Sequence, residues 1–318
     1  MSVSVVIPNY NGERYLKGCL DSLMKQSLKA DQIIIVDNNS TDRSLEIIKE
    51  YKDIAEVVKL KENKGFSIAV NEGIKRSKTR YVALLNNDTE LDKDWLKELY
   101  NCINKDDNIF SCCSKMIRYN EKNIIDDAGD EYTVLGWSRK IGDGKSVNLF
   151  TESREVFSSC AGAAIYNKDI LDKIGYFDEN FFAYLEDLDI SYRARVYGYK
   201  NYFCADAKVY HVGSATSGSR HNGFKVKLAA RNNIYLIYKN MPIYQIILNL
   251  IFIIMGIIIK GIYFSIKGLG KAYFTGLFEG IRTRKKLRKI KIDNNFRKYK
   301  RIEIELIKNT MNLFKRGY

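Results

Sequence analysis

The chain has 318 residues, 46% of them hydrophobic and 28% charged, with a formal net charge of +14. Such a composition excludes a disordered chain or a small disulfide scaffold and predicts one large domain with an appendage. Eleven Lys or Arg and one acid, Asp293, fall within residues 282–301, so most of the excess charge is a short run behind an apolar stretch, which fits an anionic membrane surface and not a nucleic-acid groove.

In chain order, VSVVIP (residues 3–8), QIIIVD (32–37), EVVKL (56–60) and YVALLN (81–86) are short apolar runs of the kind buried on both faces of a parallel sheet. Helical spacing lies between them. Leu16, Cys19, Leu20, Leu23 and Met24 recur at i, i+3, i+4, i+7 and i+8, and Phe66, Val70, Gly73 and Ile74 nearly repeat the pattern. Strands and helices alternating at this length predict right-handed βαβ units and a doubly wound α/β sheet. Ligands of such sheets bind beyond the carboxyl ends of the strands. Each run closes on polar or turn-forming residues: Pro8-Asn9-Tyr10-Asn11, Asp37-Asn38-Asn39-Ser40, Asn63-Lys64-Gly65 and Asn86-Asn87-Asp88. Helix capping accounts for Asn38, Asn39 and Ser40, but four clusters on one rim also mark a binding edge.

Neither G-x-G-x-x-G nor G-x-x-x-x-G-K-[ST] is present, and Gly144-Lys145-Ser146 reads as a loop. Phosphates would therefore need another counter-charge, such as a divalent cation held by Asp88. Residues 110–157 are irregular and polar. Small residues at Cys160-Ala161-Gly162-Ala163-Ala164 permit close backbone approach. A helix is expected from about Asp187 to Tyr197, closed by Gly198, with the Asp187 carboxylate in the first turn, where the macrodipole favours its ionised form. The six cysteines contain no C-x-x-C pair and read as reduced packing residues. Met1 leads into VSVVIP without a signal-peptide pattern, so the catalytic body is expected in the cytoplasm.

VSVVIPNYNGERYLKGCLDSL, IIIVDNNSTDRS, NKGFSIAVNEGI, LLNNDTEL, FFAYLEDLDISYRARVYGYK and VYHVGSATSG, in that order over about residues 3–240, together resemble the family 2 glycosyltransferases, and most closely their bacterial rhamnosyltransferase-like branch. The resemblance implies a GT-A fold, with a catalytic domain over 1–240 (nucleotide-binding half 1–105, acceptor and catalytic half 106–240) and a membrane-associating region over 241–318. It places Pro8 and Tyr10 at a pyrimidine base, Asp37 on the base N3 hydrogen and Gly65 near the nucleotide. Asn86, Asn87 and Asp88 stand where the family has D-x-D, leaving Asp88 as the anionic ligand of Mg2+ or Mn2+. His211 matches a histidine that completes the metal shell in some relatives; a structural role is the other reading. Asp187, of the Glu186-Asp187 pair, corresponds to the general base, so the implied reaction is a single displacement with inversion.

Residues 110–157 resemble the variable acceptor region. Glu186, Gly162 and Trp137 are acceptor candidates, and Trp137 is equally readable as a core aromatic. The expected function is transfer of a sugar, best L-rhamnose from dTDP-rhamnose, to a growing lipid-linked surface glycan. Alternatives are a UDP-hexose or UDP-N-acetylhexosamine donor, or a non-catalytic nucleotide-sugar-binding membrane partner. No nucleic-acid partner is expected, and a homo-oligomer stays open. In the apolar run at 243–259, which Lys260 interrupts, Gln245, Asn249, Gly256 and Lys260 fall along one face, a weakly polar stripe that suits a helix lying in the membrane interface better than one spanning the bilayer. A second apolar side is expected through Ile262, Ile266, Leu269, Tyr273, Leu277 and Ile281. A membrane span and a hairpin packed on protein are the competing readings.

Overall fold

The computed structural model describes residues 2–213, 222–290 and 296–314. The SATSG end of VYHVGSATSG, with Lys291 and Asp293 of the basic run, lies outside them.

The first half follows the alternation of its apolar runs: β1 (Val3–Asn9), α1 (Leu16–Met24), β2 (Gln32–Asp37), α2 (Ser44–Lys49), β3 (Glu56–Lys59), α3 (Phe66–Arg76) and β4 (Tyr81–Leu85). These strands pair in parallel in the order β3-β2-β1-β4. Successive side chains point to opposite faces, and both faces are covered. Val3, Val5 and Ile7 pack with Leu16, Leu20 and Leu23 of α1 on one side, whereas Val6, Ile34 and Val82 meet Ala69, Val70 and Ile74 of α3 on the other.

The chain continues through β5 (Thr89–Leu91), α4 (Trp95–Ile103), β6 (Ile109–Arg118), β7 (Glu121–Asp127), β8 (Asp130–Tyr132), β9 (Ser138–Lys140), β10 (Arg154–Val156), β11 (Ala163–Asn167), α5 (Lys168–Ile174), α6 (Glu186–Tyr197) and β12 (Lys200–His211). β11 joins the sheet antiparallel to β4 and β6, and β12 runs parallel to β6. The segment expected to be irregular thus contains a ten-residue strand, β6, whose nine leading residues are buried. Its serines and paired cysteines hid the strand pattern.

Among the described residues that follow lie α7 (Gly223–Asn240), α8 (Ile243–Ile266), α9 (Gly270–Thr283) and α10 (Phe296–Asn312). α8 and α9 form a hairpin, and a third core runs across residue 240, joining Tyr192 and Tyr235 to Ile253, Tyr299, Ile302 and Leu306. The expected polar stripe of α8 exists, but it faces the protein. Gln245 Oε1 accepts from Tyr192 Oη at 2.8 Å, while Gln245 Nε2 and Asn249 Nδ2 donate to Glu303 of α10 at 2.7 and 3.0 Å. Gly256 lies against the Leu135 carbonyl, where any Cβ would collide. Ile243, Ile247, Leu248, Ile251 and Ile266 point outward instead. The apolar side expected to continue into α9 splits at the turn, with Tyr273 and Leu277 buried against α7 while Ile262, Ile266 and Ile281 are exposed.

Candidate functional site

The strand-end clusters do converge. Pro8, Asn9, Tyr10, Asn38, Asn63, Gly65, Asn86, Asn87 and Asp88 line one side of a cavity of about 1870 Å³. Side-chain bonds stitch this rim together: Asn87 Nδ2 donates to Asn9 Oδ1 (2.7 Å), and Asn9 Nδ2 donates to Asp37 Oδ1 (2.9 Å). Asp37 Oδ2 accepts from the Ser40 N–H (3.1 Å). Asp37 is therefore only 2% exposed and is not among the cavity-lining residues; it fixes Asn9, and Asn38 stands on the wall near it. Asn38 Nδ2 reaches Asn63 Oδ1 (2.9 Å) and the Gly65 carbonyl (3.2 Å). Gly65 has φ +84°, and a Cβ there would sit 2.5 Å from the Phe182 carbonyl oxygen, so both the backbone angle and the close approach require glycine.

β12 delivers His211 to the same cavity. His211 Nδ1 is 2.8 Å from Asp126 Oδ2, and Nε2 is 3.4 Å from Asp88 Oδ1. Burial would lower the imidazole pKa, but the two flanking carboxylates push it up to about 9. Burial would likewise raise Asp126, yet His211 and Lys140 hold it well below the usual carboxylate range. As it stands the imidazole bridges the two carboxylates; anchored to Asp126 through Nδ1, it would present Nε2 to an ion once the Nε2 proton is displaced, the usual arrangement of a histidine ligand. The gap between Nε2 and Oδ1 also matches the roughly 3.0–3.4 Å between neighbouring ligands on an ion with bonds of about 2.1 Å. Among the described residues, no three or more His, Cys, Asp or Glu make a complete cage, so phosphate oxygens and water would supply the rest of a shell.

The start of α6 borders the same cavity. Glu186 and Asp187 line the cavity, whereas Asp189 is fully buried and holds Arg193, Lys239 and Asn240. The expected helix and its left-handed Gly198 stop are present. Asp187 accepts from its neighbour Leu188 N–H (2.8 Å) and from the Ala161 N–H (3.4 Å). Burial nonetheless raises its pKa, against those two donors, so desolvation outweighs the helix-end stabilisation expected from position alone. Burial raises Glu186 well above the usual carboxylate range, and its Oε2 has no hydrogen-bond partner among the described residues. Gly162 lies beside Asn86: its carbonyl accepts from the Asn86 N–H at 2.8 Å. Trp137 is absent from the lining; its Nε1 donates to the Gly256 carbonyl (3.1 Å) and its ring meets Lys260, so it anchors α8.

The loop that presents Asp187 is held by force. Phe182, Tyr184 and Leu185 have φ of 65°, 70° and 66°, each an unfavourable left-handed conformation for a side-chain-bearing residue. Asn232 of α7, wholly buried, braces it by donating from Nδ2 to the carbonyls of Phe181 (2.9 Å), Ala183 (2.9 Å) and Tyr184 (2.7 Å).

Sequence reasoning set Asn9 and Asn38 in the rim clusters without a functional role of their own; it missed Asn232, and also Asp126, Asp127, Asp130 and Lys140, which line the same cavity. Lys140 Nζ lies 3.2 Å from Asp126 and 3.7 Å from Asp127. The acids in IIDDAGD, directly after a short apolar pair, were the available signal.

A family model described as "Glycosyl transferase family 2" matches residues 4–175, just over half of the chain. The putative teichuronic acid biosynthesis glycosyltransferase TuaG of Bacillus subtilis is 39% identical over 99 residues, 30% of this chain and 39% of that protein. The poly(ribitol-phosphate) beta-N-acetylglucosaminyltransferase TarP of Staphylococcus aureus is 28% identical over 183 residues, 54% of this chain and 50% of its own. In both cases the chain spans less than two thirds of the relative's length. Among solved structures, GalNAc-T7 with UDP, GalNAc and Mn2+ superposes with a TM-score of 0.62 at 18% identity, covering 74% of this chain and 47% of that one. By the family match and the architecture of its sheet, the chain belongs to glycosyl transferase family 2 and has the GT-A fold.

Proposed function

We propose that the chain is an inverting glycosyltransferase that moves a sugar from a pyrimidine nucleoside diphosphate to a hydroxyl of a growing, lipid-linked surface glycan. The observation that carries this reading is that Asp187 and the Asp88–His211 pair face one cavity large enough for a nucleotide sugar and an acceptor together. Pro8 and Tyr10 flank the base, and the Asn9–Asp37 bridge orients that wall. Asp187 takes the proton of the acceptor hydroxyl as its oxygen bonds to the anomeric carbon. The bond to the diphosphate breaks on the opposite face, which inverts the centre. The raised pKa of Asp187 makes it a stronger base than a solvated carboxylate. A divalent cation, Mg2+ or Mn2+, held by Asp88 and His211 Nε2, would supply positive charge to the departing diphosphate.

An L-rhamnosyl donor, dTDP-rhamnose, is the reading that the motif resemblance supports. A UDP-hexose or UDP-N-acetylhexosamine is the second reading, favoured by the activity in TarP's name and by the UDP bound to GalNAc-T7. A panel of UDP- and dTDP-sugars in thermal shift, with and without Mn2+, separates them, because a ligand specific to the folded state raises its apparent stability. The teichuronic acid and poly(ribitol-phosphate) named for the relatives support a cell-surface polymer as acceptor, with the protein working peripherally at the cytoplasmic face of the membrane. The decisive test is Asp187→Asn: it should leave donor binding near wild type and lower transfer by at least about a hundredfold. More than a tenth of wild-type turnover would overturn the assignment, and donor binding without any hydrolysis or transfer would favour a binding partner without catalysis.

A further inference from the structure

We propose that the outward face of the α8–α9 hairpin docks on an anionic lipid bilayer and lays the mouth of the cavity along it. This deepens the reading above, on which it rests only for the identity of the acceptor. On α8, Ile247, Leu248, Ile251, Ile258, Ile262 and Ile266 are between 54% and 82% exposed, and Phe278 of α9 is 68% exposed. With their neighbours they form an apolar surface on the order of 1,000 Å², against roughly 300–600 Å² for the largest patch on a typical monomer.

Charge selects the occupant. α8 contains no acid, and the one acid of α9, Glu279, turns inward to Lys227 (2.8 Å) and Arg231 (3.3 Å). Exposed Lys267 and Lys271 stand at the hairpin turn, and exposed Arg282, Lys285 and Lys286 at the far end of α9. Lys267 lies over the ring of half-exposed Tyr263, 5.2 Å from its centroid. An apolar face bracketed by cations repels a second copy of itself and attracts anionic headgroups.

Orientation follows from the buried seam. At 24 residues α8 is the one described helix long and apolar enough to cross a membrane. Crossing would carry the Gln245–Glu303–Asn249 bonds and the packed faces of α6 and α10 into hydrocarbon, where polar groups have no compensating water. The helix therefore lies in the plane of the interface. The cavity shares this module. Phe264 of α8 and Phe224, Val226 and Ala229 of α7 line it, and α9 presses on α7 through Gly276 and Gly280, where side chains would meet the Lys227 and Arg231 carbonyls. An acceptor carried on a lipid thus approaches along the surface on which the hairpin rests.

The test is flotation of the full chain with phosphatidylcholine vesicles, with and without phosphatidylglycerol, at low and high salt. Wild type should float with the anionic vesicles and lose most of that binding in high salt or on neutral vesicles. Ile247→Glu/Ile251→Glu/Phe278→Glu should lose flotation while keeping the melting temperature and donor hydrolysis. Lys267→Glu/Lys271→Glu should lose the preference for anionic vesicles. Wild-type flotation by the triple variant, or no flotation by wild type, would overturn the proposal. So would a wild-type dimer that the triple variant converts to monomer without loss of vesicle binding. Flotation without any donor hydrolysis would instead sink the catalytic reading and leave the surface standing.

Discussion

Asn232→Ala should disable the site without touching it. The side chain shares two N–H donors among the carbonyls of Phe181, Ala183 and Tyr184, and three residues of that loop stand at positive φ. Each left-handed residue costs about 1–2 kcal/mol, so about 3–6 kcal/mol of strain is held in place by the bracing bonds. Losing the bonds costs about 1 kcal/mol each, although the Phe181 carbonyl keeps the Ala183 N–H and Arg231 Nη2 as donors. Relaxation of the loop returns part of this, so the net destabilisation should be about 2–3 kcal/mol. For a chain of 318 residues, whose unfolding entropy is about 2.1 cal/mol/K per residue, that is a fall in Tm of roughly 3–5 °C. The relaxed loop no longer fixes Asp187, and a displacement near 1 Å lowers a positioned reaction about a hundredfold. Donor binding should weaken as well, because the Phe182 carbonyl accepts from the Ser67 N–H beside Gly65. Calorimetric melting and glycosyl transfer to an acceptor test this together. A variant that melts within a degree of wild type and keeps a third of its turnover would refute the bracing role.

Asp88→Ala should weaken nucleotide-diphosphate binding with Mn2+ or Mg2+ present and change it little in EDTA. Asp37→Ala should weaken it in both, since its loss frees Asn9; equal losses for the two in EDTA by calorimetry would refute that division. Asp126→Asn should reduce Mn2+ affinity by about ten- to a hundredfold through the orientation of His211, read by metal titration without donor. Asp127 is 1% exposed and its Oδ2 has no hydrogen-bond partner among the described residues; burial raises its pKa to about 7. A carboxyl raised above its unfolded value of about 3.9 destabilises the fold progressively as pH rises from there toward the folded value. Asp127→Asn should therefore gain Tm over wild type as pH rises from 4.5 to 8 (about the span between those two values), and a constant difference would contradict the assignment.

The parallel half of the fold was legible because β1, β2 and β4 bury both faces and leave an uninterrupted apolar signature, and because α1 and α3 carry one stripe each. The rim clusters were legible for the same reason, since strand ends fix where their side chains gather. Asp126 and Asp127 were not, because the first three residues of β7, Glu121, Lys122 and Asn123, are exposed and polar, and only Ile124-Ile125 supplies an apolar signal. The direction of the α8 stripe was hidden differently. Gln245 and Asn249 on an apolar helix are equally consistent with water or with a buried acceptor, and that acceptor, Glu303, lies 54 residues beyond Asn249. The role of Asp37 was obscured by Asn9, a neighbour in space whose bond to it no linear motif records.

The clasp between α8 and α10 sets an order on synthesis. Every residue lining the cavity has been made once Phe264 leaves the ribosome, but Glu303 is still to come. Until it arrives, Gln245 and Asn249 stand without their shared carboxylate, and the amphipathic helix has two wet faces competing for a partner. A message truncated shortly before codon 303 would encode the whole cavity and still yield a chain for chaperones to retain, because the final helix acts as the latch that commits α8 to one side.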